Sequence, residues 1–120
     1  MNPYIYKATL VKIIDGDTFD CTVDLGFNIS HKIRVRMYGI NTPESRTRDL
    51  EEKARGLASK KYFTEVITKW LEEGSLFVHT KEKGKYGRYL GVVFSFKHTR
   101  SINDLLVEEG YAVKYFGGKR

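Results

Sequence analysis

Between residues 17 and 39 polar and apolar side chains alternate, and this alternation limits the fold more than any other feature of the chain. Phe19, Cys21, Val23 and Leu25 fall on one face, and Thr18, Asp20, Thr22 and Asp24 on the other. After a turn over residues 26–30, Ile33, Val35 and Met37 alternate with Lys32, Arg34, Arg36 and Tyr38 up to Gly39. A period of two fits a strand with one buried face and cannot lie on one side of a helix. Residues 4–14 are mostly β-branched, aromatic or aliphatic and stop at the Asp15-Gly16 turn, which adds a first strand and predicts a three-stranded antiparallel meander.

The period then changes. Leu50, Ala54, Leu57, Ala58, Phe63, Val66, Ile67, Trp70 and Leu71 recur at steps of three and four, predicting a long amphipathic helix closed by Gly74. Residues 75–80 and 89–96 read as two further strands around a basic connection, and residues 102–109 as a short helix ended by Gly110. The expected fold is α+β, mainly β. It is a five-stranded Greek-key barrel of the oligonucleotide-binding (OB) type, with the long helix between strands three and four and the short helix near the C-terminus. An open α+β sheet is the competing architecture. With 120 residues, 41% hydrophobic, the chain can fill one core and not two, so residues 1–120 are read as a single domain.

Lys and Arg number 21 against 15 Asp and Glu, a net charge of +6, which favours a polyanionic partner. No apolar run approaches the roughly 18 residues of a membrane span, and Met1-Asn2-Pro3-Tyr4 lacks the basic-then-apolar pattern of an export signal, so a cytoplasmic chain is expected. The lone Cys21 rules out an internal disulfide, and His31, His79 and His98 are too scattered for a helical metal site, so any bound metal is expected to be oxygen-ligated.

Asp17 shares the phase of Phe19 and Cys21 and is expected to aim inward, where a carboxylate needs an arginine or a metal ion beside it, unless it merely caps the preceding turn. Arg88, in phase with Leu90, Val92, Phe94 and Phe96, is expected to aim inward too, so the two charges would neutralise each other or serve a site. Arg36 has the opposite parity to Val35 and Met37 and reads as solvated. In Asn41-Thr42-Pro43-Glu44 the proline holds Thr42 extended, which offers several oxygens together; the plain alternative is a turn into the helix. Lys81-Glu82-Lys83-Gly84-Lys85-Tyr86-Gly87-Arg88 suits phosphate contact and base stacking, or is simply a solvated hairpin loop.

Taken in order, Ile14-Asp15-Gly16-Asp17-Thr18, then Arg36 five residues before Asn41-Thr42-Pro43-Glu44, then Lys85-Tyr86-Gly87-Arg88, resemble the staphylococcal nuclease (thermonuclease) family. The likeness runs from about Lys7 to Phe116. It implies a Ca²⁺-dependent phosphodiesterase that cuts DNA and RNA, preferably single-stranded and with little sequence specificity, to leave 3′-phosphate and 5′-hydroxyl ends. By position, Asp17 resembles the metal carboxylate, Thr42 the carbonyl ligand, Glu44 the residue that orients or deprotonates water, and Arg36 and Arg88 the phosphate clamps. Lys85 and Tyr86 resemble nucleotide contacts, as do Tyr115 and Phe116 after the last helix. No protein partner is expected, and the chain reads as a monomer.

Two departures stand out. Where many members carry a second metal aspartate this chain has Asn41, a neutral ligand that should weaken Ca²⁺ binding, with Asp15 or Glu44 helping through water. The sequence also ends at Arg120, short of the third helix of secreted members, so stability is expected to rest on the barrel and two helices. The alternative function is a catalytically weakened or inactive nucleic-acid-binding module on the same fold, with Asn41 its best support. Glu51-x-Lys53 matches a restriction-type nuclease motif only loosely and falls on the helix rather than on a strand.

Overall fold

The computed structural model describes residues 4–74, 76–83 and 88–115. Seven strands and two helices follow in the order β1 (Ile5–Asp15), β2 (Thr18–Asp24), β3 (Ser30–Met37), β4 (Ile40–Asn41), α1 (Leu50–Glu72), β5 (Phe77–Lys83), β6 (Tyr89–Phe94), α2 (Ile102–Glu108) and β7 (Val113–Lys114). The predicted meander is present, since β1, β2 and β3 pair antiparallel, with Phe19 opposite both Ile13 and Val35. β6 joins β3 in parallel and β5 antiparallel, and β5 returns to β1, which closes a five-stranded barrel in the order β1-β2-β3-β6-β5. This is the expected OB-type α+β barrel, and the open sheet is excluded.

Closure gives each of the five strands a neighbour on both sides and leaves the inner face to be filled by side chains. Phe19, Cys21, Val35, Met37, Val78 and Val93 are fully buried there. Helix α1 packs on the barrel through Phe63, Ile67 and Trp70, and the rings of Phe19 and Phe63 meet edge to face at 5.5 Å. His98 stacks on Trp70 and reaches Glu73 at 2.8 Å, which ties the segment after β6 to the end of α1. Burial pushes the Cys21 thiol up to about 12, so it behaves as a small apolar core residue.

Three local expectations are corrected. The phase of β6 is inverted: Gly91 and Val93 are buried while Leu90, Val92 and Phe94 are only half-buried, and Phe96, beyond the end of the strand, is 73% exposed. Gly91 faces in because a Cβ there would meet Val78 Cγ1 at 3.0 Å and Val35 Cγ1 at 3.2 Å. Arg88, in phase with Leu90, is therefore set on the outer side of the barrel rather than inward. Helix α1 does not bury Leu50 or Leu57; over its first half it buries Gly56 and Ser59 instead. Leu25, expected to continue the buried face of β2, lies past the strand's end and is exposed.

A pairing absent from the sequence reading is the two-stranded sheet β4-β7, with Ile40 opposite Lys114 and Asn41 opposite Val113. The Asn103 side chain binds α2 to the barrel. Its Oδ1 accepts from the Val93 N–H at 2.9 Å, and its Nδ2 donates to the carbonyls of Tyr38 at 2.8 Å and Gly91 at 3.1 Å.

Candidate active-site cleft

Four chain segments meet on the outer face of the barrel: the β1-β2 turn, the end of β3, the stretch after β4 and the entry to β6. Between them lies a cleft of about 140 Å³ lined by Asp15, Asp17, Thr18, Arg36, Asn41, Thr42, Pro43, Glu44 and Arg88. All six residues proposed from the sequence as catalytic or metal-binding are thus brought together. Larger concavities exist, among them one of about 360 Å³ lined by Tyr4, Tyr6 and Tyr89. The small cleft brings together three carboxylates, Asp15, Asp17 and Glu44, and two guanidiniums, Arg36 and Arg88.

Asp17 sits in the tight turn between β1 and β2, not in a strand, and is 7% exposed. Its Oδ1 accepts from the Thr18 hydroxyl at 3.1 Å and its Oδ2 from the Thr42 N–H at 3.2 Å. The Met37 N–H donates to the Asp17 carbonyl at 2.8 Å, fastening the turn to the end of β3. The cation that a buried carboxylate requires is Arg36: its Nη2 lies 3.6 Å from Asp17 Oδ2 and donates to Asn41 Oδ1 at 3.1 Å.

Arg36 keeps the outward parity expected of it in β3, yet it is not solvated. Its side chain is only 18% exposed, because the outer face of the barrel at this end is covered by the β1-β2 turn and the segment after β4. The Tyr115 ring lies over the guanidinium at 5.7 Å, and the Tyr115 N–H donates to the Gly39 carbonyl at 2.8 Å, so Tyr115 stands beside the cleft. Lys85, Tyr86 and Phe116, the other expected nucleotide contacts, lie outside the described residues.

Several positioning residues escaped sequence reasoning. Gly56 lies against the Glu44-Ser45 peptide, where a Cβ would overlap the Glu44 carbonyl and come within 2.7 Å of Ser45 N. A glycine inside a helical pattern costs about 1 kcal/mol relative to alanine, and that mismatch is the signal that marks a close approach. Gly16 is similarly confined, with Ser59 Cβ at 2.9 Å and both Thr42 Cγ2 and Oγ1 at 3.2 Å from a hypothetical Cβ. The Ser59 hydroxyl donates to the Tyr111 carbonyl at 2.7 Å, and the Ser45 hydroxyl to Asp15 Oδ1. Helix α1 is therefore the template against which both site turns are set.

Among the described residues, no three His, Cys, Asp or Glu side chains come together in a way that could hold a metal ion. The donors in the cleft are nonetheless all oxygens: the Asp17 carboxylate, the Asn41 carboxamide and the groups of Thr42 and Glu44. That chemistry fits a hard divalent cation and not a soft one, with Asp17 the buried carboxylate of the cleft, Asn41 neutral, and Asp15 and Glu44 less buried. No helix of the described residues is long and apolar enough to cross a membrane.

Comparison with known proteins agrees with this assembly. The family model described as "Staphylococcal nuclease homologue" matches residues 34–120. The chain is 31% identical over 121 residues to "Micrococcal nuclease" of Shigella flexneri, covering 93% of this chain and 61% of that protein. It is 30% identical over 116 residues to "Protein ParB" of Escherichia coli, covering 91% of this chain and 57% of that protein. The chain thus spans about three fifths of the length of these relatives. With the closed barrel, the order of its elements and the match over most of its residues, the chain belongs to the family of staphylococcal nuclease homologues.

Proposed function

We propose that this chain is a metal-dependent phosphodiesterase that hydrolyses DNA or RNA, preferably single-stranded and without base specificity, leaving 3′-phosphate and 5′-hydroxyl ends. The observation that carries the reading is the convergence of Asp17, Arg36, Asn41, Thr42, Glu44 and Arg88 on one cleft. Family membership and the +6 charge support a polyanionic substrate. The same reading takes the protein as a monomer acting in the cytoplasm.

Arg36 and Arg88 would grip the non-bridging oxygens of the scissile phosphate, since a planar guanidinium can meet two oxygens and the charge on them grows as a fifth oxygen approaches phosphorus. Glu44, exposed at the cleft mouth, would align a water and take its proton as the water oxygen bonds to phosphorus. The bond from phosphorus to the 5′-oxygen breaks, and that oxygen picks up a proton from solvent. Asp17, Asn41 Oδ1 and the Thr42 carbonyl would hold a divalent cation, Ca²⁺ on the family resemblance, whose contribution when bound is to polarise a phosphate oxygen. Asp17 and Asn41 meanwhile keep Arg36 in place through the contacts described above.

A second reading, a nucleic-acid-binding module with a weakened site, draws on Asn41, which gives the cleft a carboxamide in place of a second carboxylate. The deciding experiment is cleavage of labelled single-stranded DNA and RNA in Ca²⁺, Mg²⁺, Mn²⁺ or EDTA, with Glu44→Ala as control and the product ends identified. Metal-dependent cutting to 3′-phosphate ends that disappears in Glu44→Ala is the expected result. Binding without cutting in any metal would overturn the enzyme reading in favour of the module.

A further inference from the structure

The tip of the β2-β3 hairpin is built against ordinary folding preference. Residues Gly26, Phe27, Asn28 and Ile29 form a tight turn in which the Ile29 N–H donates to the Gly26 carbonyl at 2.9 Å, and the Leu25 N–H donates to the Ile29 carbonyl at 2.9 Å. Phe27 and Asn28 occupy its two central positions with φ of 57° and 60°. Such a primed turn favours Asn or Gly at both places, because a side chain in the left-handed region crowds its own backbone. Asn28 fits this preference; Phe27 opposes it. Phe27 is also 95% exposed, so its ring gains nothing from burial. Neither the turn nor the core accounts for a phenylalanine here.

The ring borders a groove of about 560 Å³ on the outer face of β1 to β3, together with Lys7, Thr9, Thr22, Asp24 and Ser30. An aromatic plane, a cation and three hydroxyls are the groups that meet a nucleotide's base, phosphate and sugar. The Asp24 carboxylate is occupied by the turn, accepting from the Gly26 N–H at 2.8 Å. From the groove, Lys32, Arg34 and Arg36 follow one another at alternate positions of β3, about 6.6 Å apart, and end in the cleft. Lys12, opposite Asp20 on β1, adds to the same face. Arg34 is bidentate to Asp20 at 2.7 and 3.2 Å and cancels that carboxylate. On this face Lys7, Lys12, Lys32, Arg34 and Arg36 stand against Asp17, Asp20 and Asp24, so its charge complements a phosphate backbone.

We propose that the groove beside Phe27 is a distal subsite for single-stranded nucleic acid, in which Phe27 stacks on a base while the cations of β3 carry the backbone from the cleft. The distance from Arg36 to Ser30 along β3 is about 20 Å, suited to a strand several nucleotides long. The inference rests on the reading of nucleic acid as the substrate. It is independent of whether the cleft cuts. A lipid surface or a second copy of the chain would also meet an exposed phenylalanine, but neither calls for the cation row that leads from it into the cleft.

The test is binding of a fluorescent dinucleotide and a fluorescent decanucleotide, in a Glu44→Ala background that prevents cleavage, comparing Phe27, Phe27→Asn and Lys32→Gln. Phe27→Asn gives the turn a residue it prefers, so its thermal midpoint should not fall. Its affinity for the decanucleotide is expected to fall roughly tenfold with dinucleotide affinity unchanged. Lys32→Gln should weaken decanucleotide binding and reduce its salt dependence by about one released counterion. Equal affinities across the variants, or an equal loss at both lengths, would overturn the subsite. So would a Phe27→Asn effect confined to sedimentation or to binding of anionic vesicles. Failure of the enzyme reading would appear separately, as length-dependent binding in a protein that still does not cut when Glu44 is restored.

Discussion

The backbone of Gly56 in helix α1 lies directly against the carbonyl of Glu44, with no room between them for a single methyl group. Contact at this range leaves the Glu44 peptide no room to move toward the helix, because the two backbones are already packed together. Gly56→Ala is expected to push the turn away from the helix. It should cost about 1–3 kcal/mol of stability and depress cleavage far more than nucleic-acid binding. Urea unfolding, cleavage rate and oligonucleotide affinity measured on one preparation would check all three; full activity in a folded Gly56→Ala protein would refute the positioning role.

Asn103 satisfies one buried N–H and two buried carbonyls from three points of the barrel. Asn103→Ala would remove this partner from all three groups at a position that is 3% exposed, while the Gly91 carbonyl keeps the Tyr38 N–H. We expect a loss of roughly 2–4 kcal/mol, read as a fall in the urea midpoint at unchanged slope. A loss under about 0.5 kcal/mol would mean that water replaces the amide.

Asn41 supplies a neutral oxygen beside Asp17 and engages Arg36. Asn41→Asp adds a second carboxylate, and Ca²⁺ affinity should rise roughly tenfold, since ligand charge is a main control on it. Calorimetric titration of both proteins would measure this. Equal affinities would show that Asn41 is not among the ligands.

Burial, followed by the nearby Lys81, holds the His79 imidazole below its ordinary value of 6.5. The unfolded chain therefore binds a proton at this residue at a pH where the folded one does not, and the stability linked to His79 is whole above about pH 6.5. It declines as the pH drops below that value and levels off once the folded imidazole also protonates. Urea midpoints of the parent and His79→Gln across this range should diverge on the acid side. Parallel profiles would refute the linkage.

How far the sequence can be read depended on whether a segment carried both polar and apolar residues. β3, with Lys32, Arg34 and Arg36 between Ile33, Val35 and Met37, declared its faces, and the structure keeps them. β6, Tyr-Leu-Gly-Val-Val-Phe, has no polar residue to set its phase, so the choice fell to Gly91 fitting between Val35 and Val78, which no pattern reveals. The first half of α1 docks on turns through Gly56 and Ser59, whereas periodicity credits Leu50 and Leu57 with burial. Strands β4 and β7, two residues each, are too short to have a period. Asp17, Arg36, Thr42, Glu44 and Arg88 came from motif order; alternation alone placed Arg36 in solvent, since it tells inside from outside and not which part of the outside is covered.

The parallel pairing of β3 with β6 decides when the cleft can exist at all. The β1-β2 and β2-β3 hairpins are local and can zip as soon as their residues are available, whereas Val35 and Tyr89 meet only after α1 and β5 have been accommodated between them. Arg36 stands at the end of the first strand of that pair and Arg88 at the start of the second. The two guanidiniums therefore share a cleft only once this long-range seam of the barrel has been sewn. A chain caught short of that point holds every residue of the site and none of its geometry.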